Sequence, residues 1–189
     1  GGPQRPLPLR FGQEVQELPR KRTLNPDPPL FTFHLSPLTF HLTEVGYNEE
    51  KQRQLDMRYL RMARIWAENS YCVRRKVGAL IVKDKMIISD GYNGTPSGFE
   101  NICEDEEGRT KPYVLHAEAN AITKVAKSAN NCDGSTLYIT AAPCLECSKL
   151  IIQAGIRRVV YSEDYRSEEG LNLLRKVGIE CVQYSADTL

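Results

Sequence analysis

The sequence predicts an α/β fold, a three-layer α/β/α sandwich around a central, mixed five-stranded sheet, preceded by a proline-rich extension. Two observations carry this expectation. From residue 47 onward, strand-like and helix-like patterns alternate, the order that leaves a sheet covered by helices on both faces. Proline is also segregated: eight of the eleven fall within residues 1–46 and none between 47 and 95. A length of 189 residues suits one compact domain with an added segment.

The elements follow in order. In residues 1–46, stretches such as Pro3-Gln-Arg-Pro-Leu-Pro8 and Pro26-Asp-Pro-Pro29 cannot propagate a helix and lack donors for a sheet. That segment is expected to be disordered or loosely docked, with the folded domain over 47–189. It carries a short repeat, Thr32-Phe-His-Leu35 and Thr39-Phe-His-Leu42. Leu55, Tyr59, Met62 and Trp66 recur at i, i+4, i+7 and i+11, the apolar stripe of an amphipathic helix. Residues 77–82 and 86–88 read as strands joined by the polar turn Lys83-Asp-Lys85. A glycine-rich loop follows, Gly91-Tyr-Asn-Gly-Thr-Pro-Ser-Gly98, and then a charged stretch over 104–111. Residues 115–127 form an alanine-rich helix, 136–141 a strand, 144–154 a helix, 158–161 a strand, 168–176 a helix and 179–184 a final strand.

Composition narrows the function classes. The net charge is +1 with basic residues spread along the chain, which argues against a dedicated nucleic-acid binder. No run approaches the roughly 18 apolar residues of a membrane span, and no leader pattern is visible, so a cytoplasmic location without a membrane is expected. The six cysteines read as metal ligands or free thiols rather than three disulfides. Cys181, in an apolar run, is expected to be a small buried hydrophobe, and Cys132 a loop residue without a role.

The chemistry lies in two motifs. His116-Ala-Glu118 is followed by Pro143-Cys-Leu-Glu-Cys147, each at the start of a predicted helix. Cys144 and Cys147 are three apart, so one helical turn points both sulfurs at the same place. The positive end of the helix dipole favours their thiolates. With His116 they make three zinc-type ligands, and catalytic zinc sites keep the fourth position for water. Glu118 is then free to move protons. A closed structural site completed by Cys132 or Cys103 would have the same three ligands but no use for Glu118. The pattern H-x-E then P-C-x-x-C is the signature of zinc-dependent nucleobase deaminases.

Over residues 53–185 the chain resembles the cytidine and deoxycytidylate deaminase superfamily, and within it the deoxycytidylate (dCMP) deaminases. Beyond the zinc signature, the resemblance rests on Lys76-Val-Gly-Ala-Leu-Ile-Val82, Gly91-Tyr-Asn-Gly-Thr-Pro-Ser-Gly98, His116-Ala-Glu-Ala-Asn-Ala-Ile122 and Ser148-Lys-Leu-Ile-Ile-Gln-Ala-Gly-Ile156. It implies a cytidine-deaminase-like fold and hydrolysis of dCMP to dUMP and ammonia, supplying thymidylate synthesis. It also implies that His116, Cys144 and Cys147 hold one Zn2+ and that Glu118 is the proton shuttle. Asn93 would contact the sugar, Ala117 would offer a backbone N–H to the base carbonyl, and Tyr165 would pack near the base.

The residues alone leave other readings for two of these: Asn93 as a left-handed turn residue and Tyr165 as an ordinary loop aromatic. For the phosphate, Arg74, Arg75, Lys76 and the glycine-loop amides are all candidates. Some family members hold a second, structural zinc. Cys72 and Cys103 occupy two of its positions, but 104–115 lacks the completing histidine, so two nearby free thiols are expected. The resemblance further implies a homo-oligomer, a hexamer in many relatives, with dCTP and dTTP as effectors. The competing functions are deamination of another cytidine nucleotide, deamination of a base in nucleic acid, and a catalytically silent zinc-binding subunit.

Overall fold

A computed structural model describes the backbone of residues 37–185 and the side chains of 46–185. Nine elements follow one another: α1 (Pro37–Ala67), β1 (Gly78–Lys83), β2 (Met86–Tyr92), α2 (Ala117–Ala126), β3 (Thr136–Ala141), α3 (Leu145–Gln153), β4 (Arg158–Glu163), α4 (Glu169–Lys176) and β5 (Glu180–Gln183). The five strands form a single sheet in the order β2-β1-β3-β4-β5. β1 is antiparallel to both β2 and β3, whereas β3, β4 and β5 run parallel, so the sheet is mixed as expected. No helix among the described residues is long and apolar enough to cross a membrane.

Alternation along the strands builds the three layers. Ala79, Ile81, Leu137, Ile139, Val159 and Tyr161 face one way and pack with Ala121 and Val125 of α2, Ile151 of α3, and Leu171 and Leu174 of α4. Their neighbours Leu80, Val82, Tyr138 and Val160 face the other way, onto Leu60 and Ala63 of α1. Three helices therefore cover one face and α1 covers the other. Asp84 and Lys85, both with positive φ, make the tight β1–β2 hairpin turn, whose twist matches that of the flanking strands.

Two expectations change. The stripe Leu55, Tyr59, Met62, Trp66 is not the buried face of α1: Met62 and Trp66 are 45% and 38% exposed, while Asp56, Leu60, Ala63 and Ala67 are buried. The stripe is rotated by one residue because α1 lies very close to β1. A Cβ at Gly78 would collide with the carbonyl of Ala63 and the amide of Ala67, so only small residues fit along that contact. Asp56 joins this buried face because Arg158 of β4 grips it through two hydrogen bonds of 2.8 Å, and Tyr138 donates a third at 2.8 Å.

The second change is at the expected boundary after residue 46, which falls inside α1. Residues 37–46, including the second copy of the repeat, continue the helix backbone. Residues 1–36, with most of the proline-rich segment, lie outside the described residues. Cys132, expected to be incidental, is buried in the main core, and Cys181 packs partly buried at its edge.

Candidate metal centre and active site

The parallel strands β3 and β4 end on the same side of the sheet, where loops at the carboxyl ends of strands habitually build binding sites. The chain leaving β3 turns through Ala142 and Pro143 into α3, with Cys144 as the helix N-cap and Cys147 in the first turn. Cys144 Sγ accepts the Cys147 N–H at 3.5 Å, the bond an N-cap side chain makes. His116 is the N-cap of α2, so two helix starts converge on one point. Both thiol-bearing residues and the histidine were expected inside their helices; each helix begins one or two residues later, which leaves His116 and Cys144 extended and free to turn inward.

His116 Nδ1 stands 3.5 Å from each sulfur, and the three donor atoms lie within 4.8 Å of one another. Sulfur at about 2.3 Å and nitrogen at about 2.0–2.1 Å from a tetrahedral zinc stand roughly 3.5 Å apart. The donor set and its spacing therefore fit a zinc ion, with a fourth vertex left over. Hydrogen bonding from the Cys147 thiol, followed by that from His116, pushes the Cys144 thiol down to about 4. Cys147 is pushed up, first by its hydrogen bond to Cys144 and then by burial. The hydrogen bond to Cys144 also holds the His116 imidazole above its ordinary value. One thiolate is thus ready, and a cation that displaces the remaining proton completes the ligand set.

Glu118, in the first turn of α2, is 3% exposed, and burial pushes its carboxyl up to about 7. Ala117, fully buried, precedes it, and its N–H belongs to the first turn, where no acceptor exists within the helix. Together they line a cavity of about 410 Å³ with His116, Cys144, Asn93 and Tyr165. His116, Cys144, Glu118, Ala117, Asn93 and Tyr165 thus all border one space, while the third candidate ligand, Cys147, is buried.

Two candidates behave differently from expectation. Asn93 has no positive φ, which removes the left-handed-turn alternative. Its amide is instead a brace: Oδ1 accepts from Val77 N at 2.7 Å and Nδ2 donates to Arg75 O at 2.9 Å, fixing the loop before β1. Asn120 donates to Tyr92 O at 2.9 Å and ties α2 to the start of the glycine loop. Cys72 and Cys103, expected as free thiols, are joined in a disulfide that links the same loop to the segment after the glycine loop. Among the described residues no third ligand is grouped with them; Glu104 Oε1 instead accepts the amides of Val73 and Arg74 at 3.1 and 3.2 Å. Of the phosphate candidates, Lys76 does not border the cavity, whereas Arg74 and Arg75 do, and so does Arg166, which the sequence did not mark.

Comparison with known proteins agrees with this geometry. Residues 53–163 match the family model of the cytidine and deoxycytidylate deaminase zinc-binding region. The deoxycytidylate deaminase of Saccharomyces cerevisiae is 34% identical over 161 residues, 76% of this chain and 51% of the yeast protein. That of Enterobacteria phage T4 is 33% identical over 164 residues, 64% of this chain and 85% of the phage protein. The chain thus spans about half the length of the yeast relative. The crystal structure of dCMP deaminase from the cyanophage S-TIM5, in complex with dCMP and dUMP, superposes with a TM-score of 0.68 at 45% identity, covering 69% of this chain and 97% of the phage chain.

Proposed function

The chain belongs to the zinc-dependent cytidine and deoxycytidylate deaminases, and from that membership we propose that it hydrolyses dCMP to dUMP and ammonia, supplying thymidylate synthesis. The observation that carries the reading is the buried Glu118 carboxylate beside a three-donor metal cluster, both opening on one cavity. A closed structural zinc site has no use for such an acid. The dCMP and dUMP bound by the cyanophage relative, at 45% identity, support the choice of substrate.

His116 Nδ1, Cys144 Sγ and Cys147 Sγ would hold the zinc ion, which would supply a Lewis acid able to make a water nucleophilic near neutral pH. Glu118 accepts the proton that water loses as it attacks C4 of the cytosine and passes a proton to ring N3. It then takes the second proton from the new C4 hydroxyl and delivers it to the amino group, which leaves as ammonia while the C4 carbonyl forms and the carboxylate is restored. The Ala117 N–H donates to the base carbonyl at C2 and fixes the ring's orientation. Tyr165 packs against the base, and Asn93 meets the sugar edge while bracing the loop beneath it.

We extend the reading to a homo-oligomer, a hexamer regulated by dCTP and dTTP and acting in the cytoplasm. Exposed Ile65, Tyr71, Val73 and Phe99 support self-association, since they leave apolar surface uncovered. Sedimentation of the zinc-loaded protein, and saturation curves with and without dCTP, test this; a monomer with a hyperbolic curve unmoved by dCTP rejects it.

The substrate test is deamination followed in the ultraviolet with dCMP, deoxycytidine, CMP and dCTP offered side by side. Loss of cytosine absorbance with dCMP is expected. Turnover of a different member moves the substrate, and turnover of none points to a base in nucleic acid or to a silent binding subunit.

A further inference from the structure

Two loops far apart in sequence meet at the catalytic cavity. The loop before β1 contributes Arg75 and Val77, and the loop after β4 contributes Tyr165 and Arg166. Arg75 Nη2 spans the gap between them, donating to Glu163 Oε2 at 2.6 Å and to Asp164 O at 3.3 Å. Among the described residues no other hydrogen bond joins these two loops.

Each half of this clasp is anchored from behind. On one side, Asn93 Nδ2 donates to Arg75 O at 2.9 Å and Asn93 Oδ1 accepts the Val77 N–H at 2.7 Å, so Arg75 leaves a braced backbone. On the other, Glu163 ends β4, its carbonyl accepts from Ala142 N at 2.8 Å, and Asp164 Oδ1 accepts from Gln183 Nε2 at 3.0 Å. The chain beyond Asp164 has far less to hold it. Tyr165 and Arg166 make no hydrogen bond or ion pair among the described residues, and the next tie is at Ser167, whose Oγ accepts the N–H of Glu169 at 3.2 Å. Tyr165 is 37% exposed, so packing covers only part of it. Where its ring stands at the cavity therefore depends on where Asp164 is held, and Arg75 holds it.

The pair is poorly suited to a purely stabilising role. Its side chains are 38% and 48% exposed, and ion pairs open to water add little to global stability. A short, charge-assisted contact nonetheless fixes local geometry.

Resting on the dCMP reading and on the place of Tyr165 in it, we infer that Arg75 and Glu163 are positioning residues for the reaction. Their clasp fixes the separation of the two loops and sets Tyr165 against the cytosine. Neither residue touches the reacting atoms. Because Tyr165 holds the base in the ground state and the transition state alike, the clasp governs affinity and leaves the chemical step at Glu118 unaltered.

The test uses the zinc-loaded full chain with Arg75→Gln and Glu163→Gln, each alone, together, and in a Tyr165→Ala background. Thermal unfolding near that of the parent protein confirms that each variant folds. Kd for dUMP, measured by calorimetry without turnover, and KM for dCMP should both rise roughly 2- to 5-fold in either single variant, the range of an exposed ion pair, with kcat unchanged. The two substitutions together should cost no more than one, and neither should weaken binding further once Tyr165 is removed, because the three act as a unit. The sign in Glu163→Gln is decisive. If Arg75 instead held an anionic group of the nucleotide, removing its competing carboxylate would tighten dUMP, and that result overturns the assignment. So do unchanged Kd and KM in both single variants, a loss confined to kcat, or a loss of full size in the Tyr165→Ala background. A parent that binds dUMP through the clasp but leaves dCMP intact would sink the reaction reading and keep the positioning role. A parent that turns over dCMP with all variants alike would sink the clasp alone, and one that neither binds dUMP nor turns over dCMP overturns both.

Discussion

Gly170, the second residue of α4, rests directly on the carbonyl of Pro143, with no room for a methyl group between them. A Cβ there would also stand 2.8 Å from Ser148 Oγ and 2.9 Å from the carbonyl carbon of Cys144. The helix that follows β4 thus clamps the turn that aims the zinc thiolates, and the contact reaches the metal without touching it. Gly170→Ala is expected to cost about 1–3 kcal/mol by overpacking. Because the turn must shift, it should also speed zinc loss to a competing chelator. Unchanged exchange together with a lowered Tm would separate the clamp from the site.

Glu118→Gln keeps shape and volume but cannot accept a proton. Turnover of dCMP should fall by at least about 10²–10⁴, the usual share of a general acid–base group. Zinc should remain at one equivalent, since the carboxylate is not among the three clustered donors. Activity assays paired with metal analysis check this. A variant that loses its metal along with its activity would make Glu118 a ligand rather than a shuttle.

The link between Asp56 and Arg158 predicts an acid limb in stability. Burial works to raise the Asp56 carboxyl, but hydrogen bonds from Arg158, Gln52 and Tyr138 outweigh it and hold the group below its ordinary value of 3.8. A carboxyl depressed in the folded state contributes its full stability above the unfolded value and loses it as pH falls through the folded value. Denaturant unfolding should therefore show stability falling below about pH 4, with a shallower fall in Asp56→Asn. At neutral pH that variant should be destabilised by about 1–3 kcal/mol, because Arg158 loses the carboxylate that holds it with two hydrogen bonds and keeps only the more exposed Glu180, 3.0 Å from its Nε.

The sequence shows the site more clearly than the surfaces around it, for a physical reason. Metal chemistry fixes residue type and spacing, so His116, Glu118, Cys144 and Cys147 stand out in a linear reading, and the strands of the core carry an apolar signal strong enough to place them. The buried face of α1 is misread because two alanines and an aspartate carry no hydrophobic signal; only the close approach at Gly78 and the distant Arg158 make that face the inner one. β2 runs on to Tyr92 through Ser89 and Gly91, residues of poor strand propensity, because Ser89 Oγ donates to Ala121 O and β1 pairs alongside. Arg166 is one of many surface arginines until the Arg75–Glu163 clasp shows which rim it shares. Cys72 and Cys103, 31 residues apart, have no local pattern that pairs them.

That disulfide gives a direct count. Protein purified without reductant and unfolded should show four reactive thiols, those of Cys132, Cys144, Cys147 and Cys181, and six after reduction. Closing a loop over 31 residues is worth about 3–4 kcal/mol. Reduction, or Cys103→Ser, should accordingly lower Tm by roughly 6–15 °C. Six thiols at the outset would show the pair reduced, the state a reducing cytoplasm would favour.

Removal of the metal tests how far the fold depends on the site. The main core, from Ile81 and Leu137 to Val159 and Leu174, is built without His116, Cys144 or Cys147, so far-ultraviolet dichroism should survive chelation. The starts of α2 and α3 would lose the ion that draws them together. At zinc concentrations about 1,000 times Kd, the bound state gains about 4 kcal/mol over the metal-free one. Chelation should therefore lower Tm by roughly 8–16 °C, abolish turnover of dCMP, and be reversed in both respects by one equivalent of zinc. Loss of Tm without recovery on adding zinc would show that the two helix starts do not return to the 3.5 Å spacing on their own. Unchanged Tm would show that packing alone, through Gly170 and Pro143, holds the ligands in place.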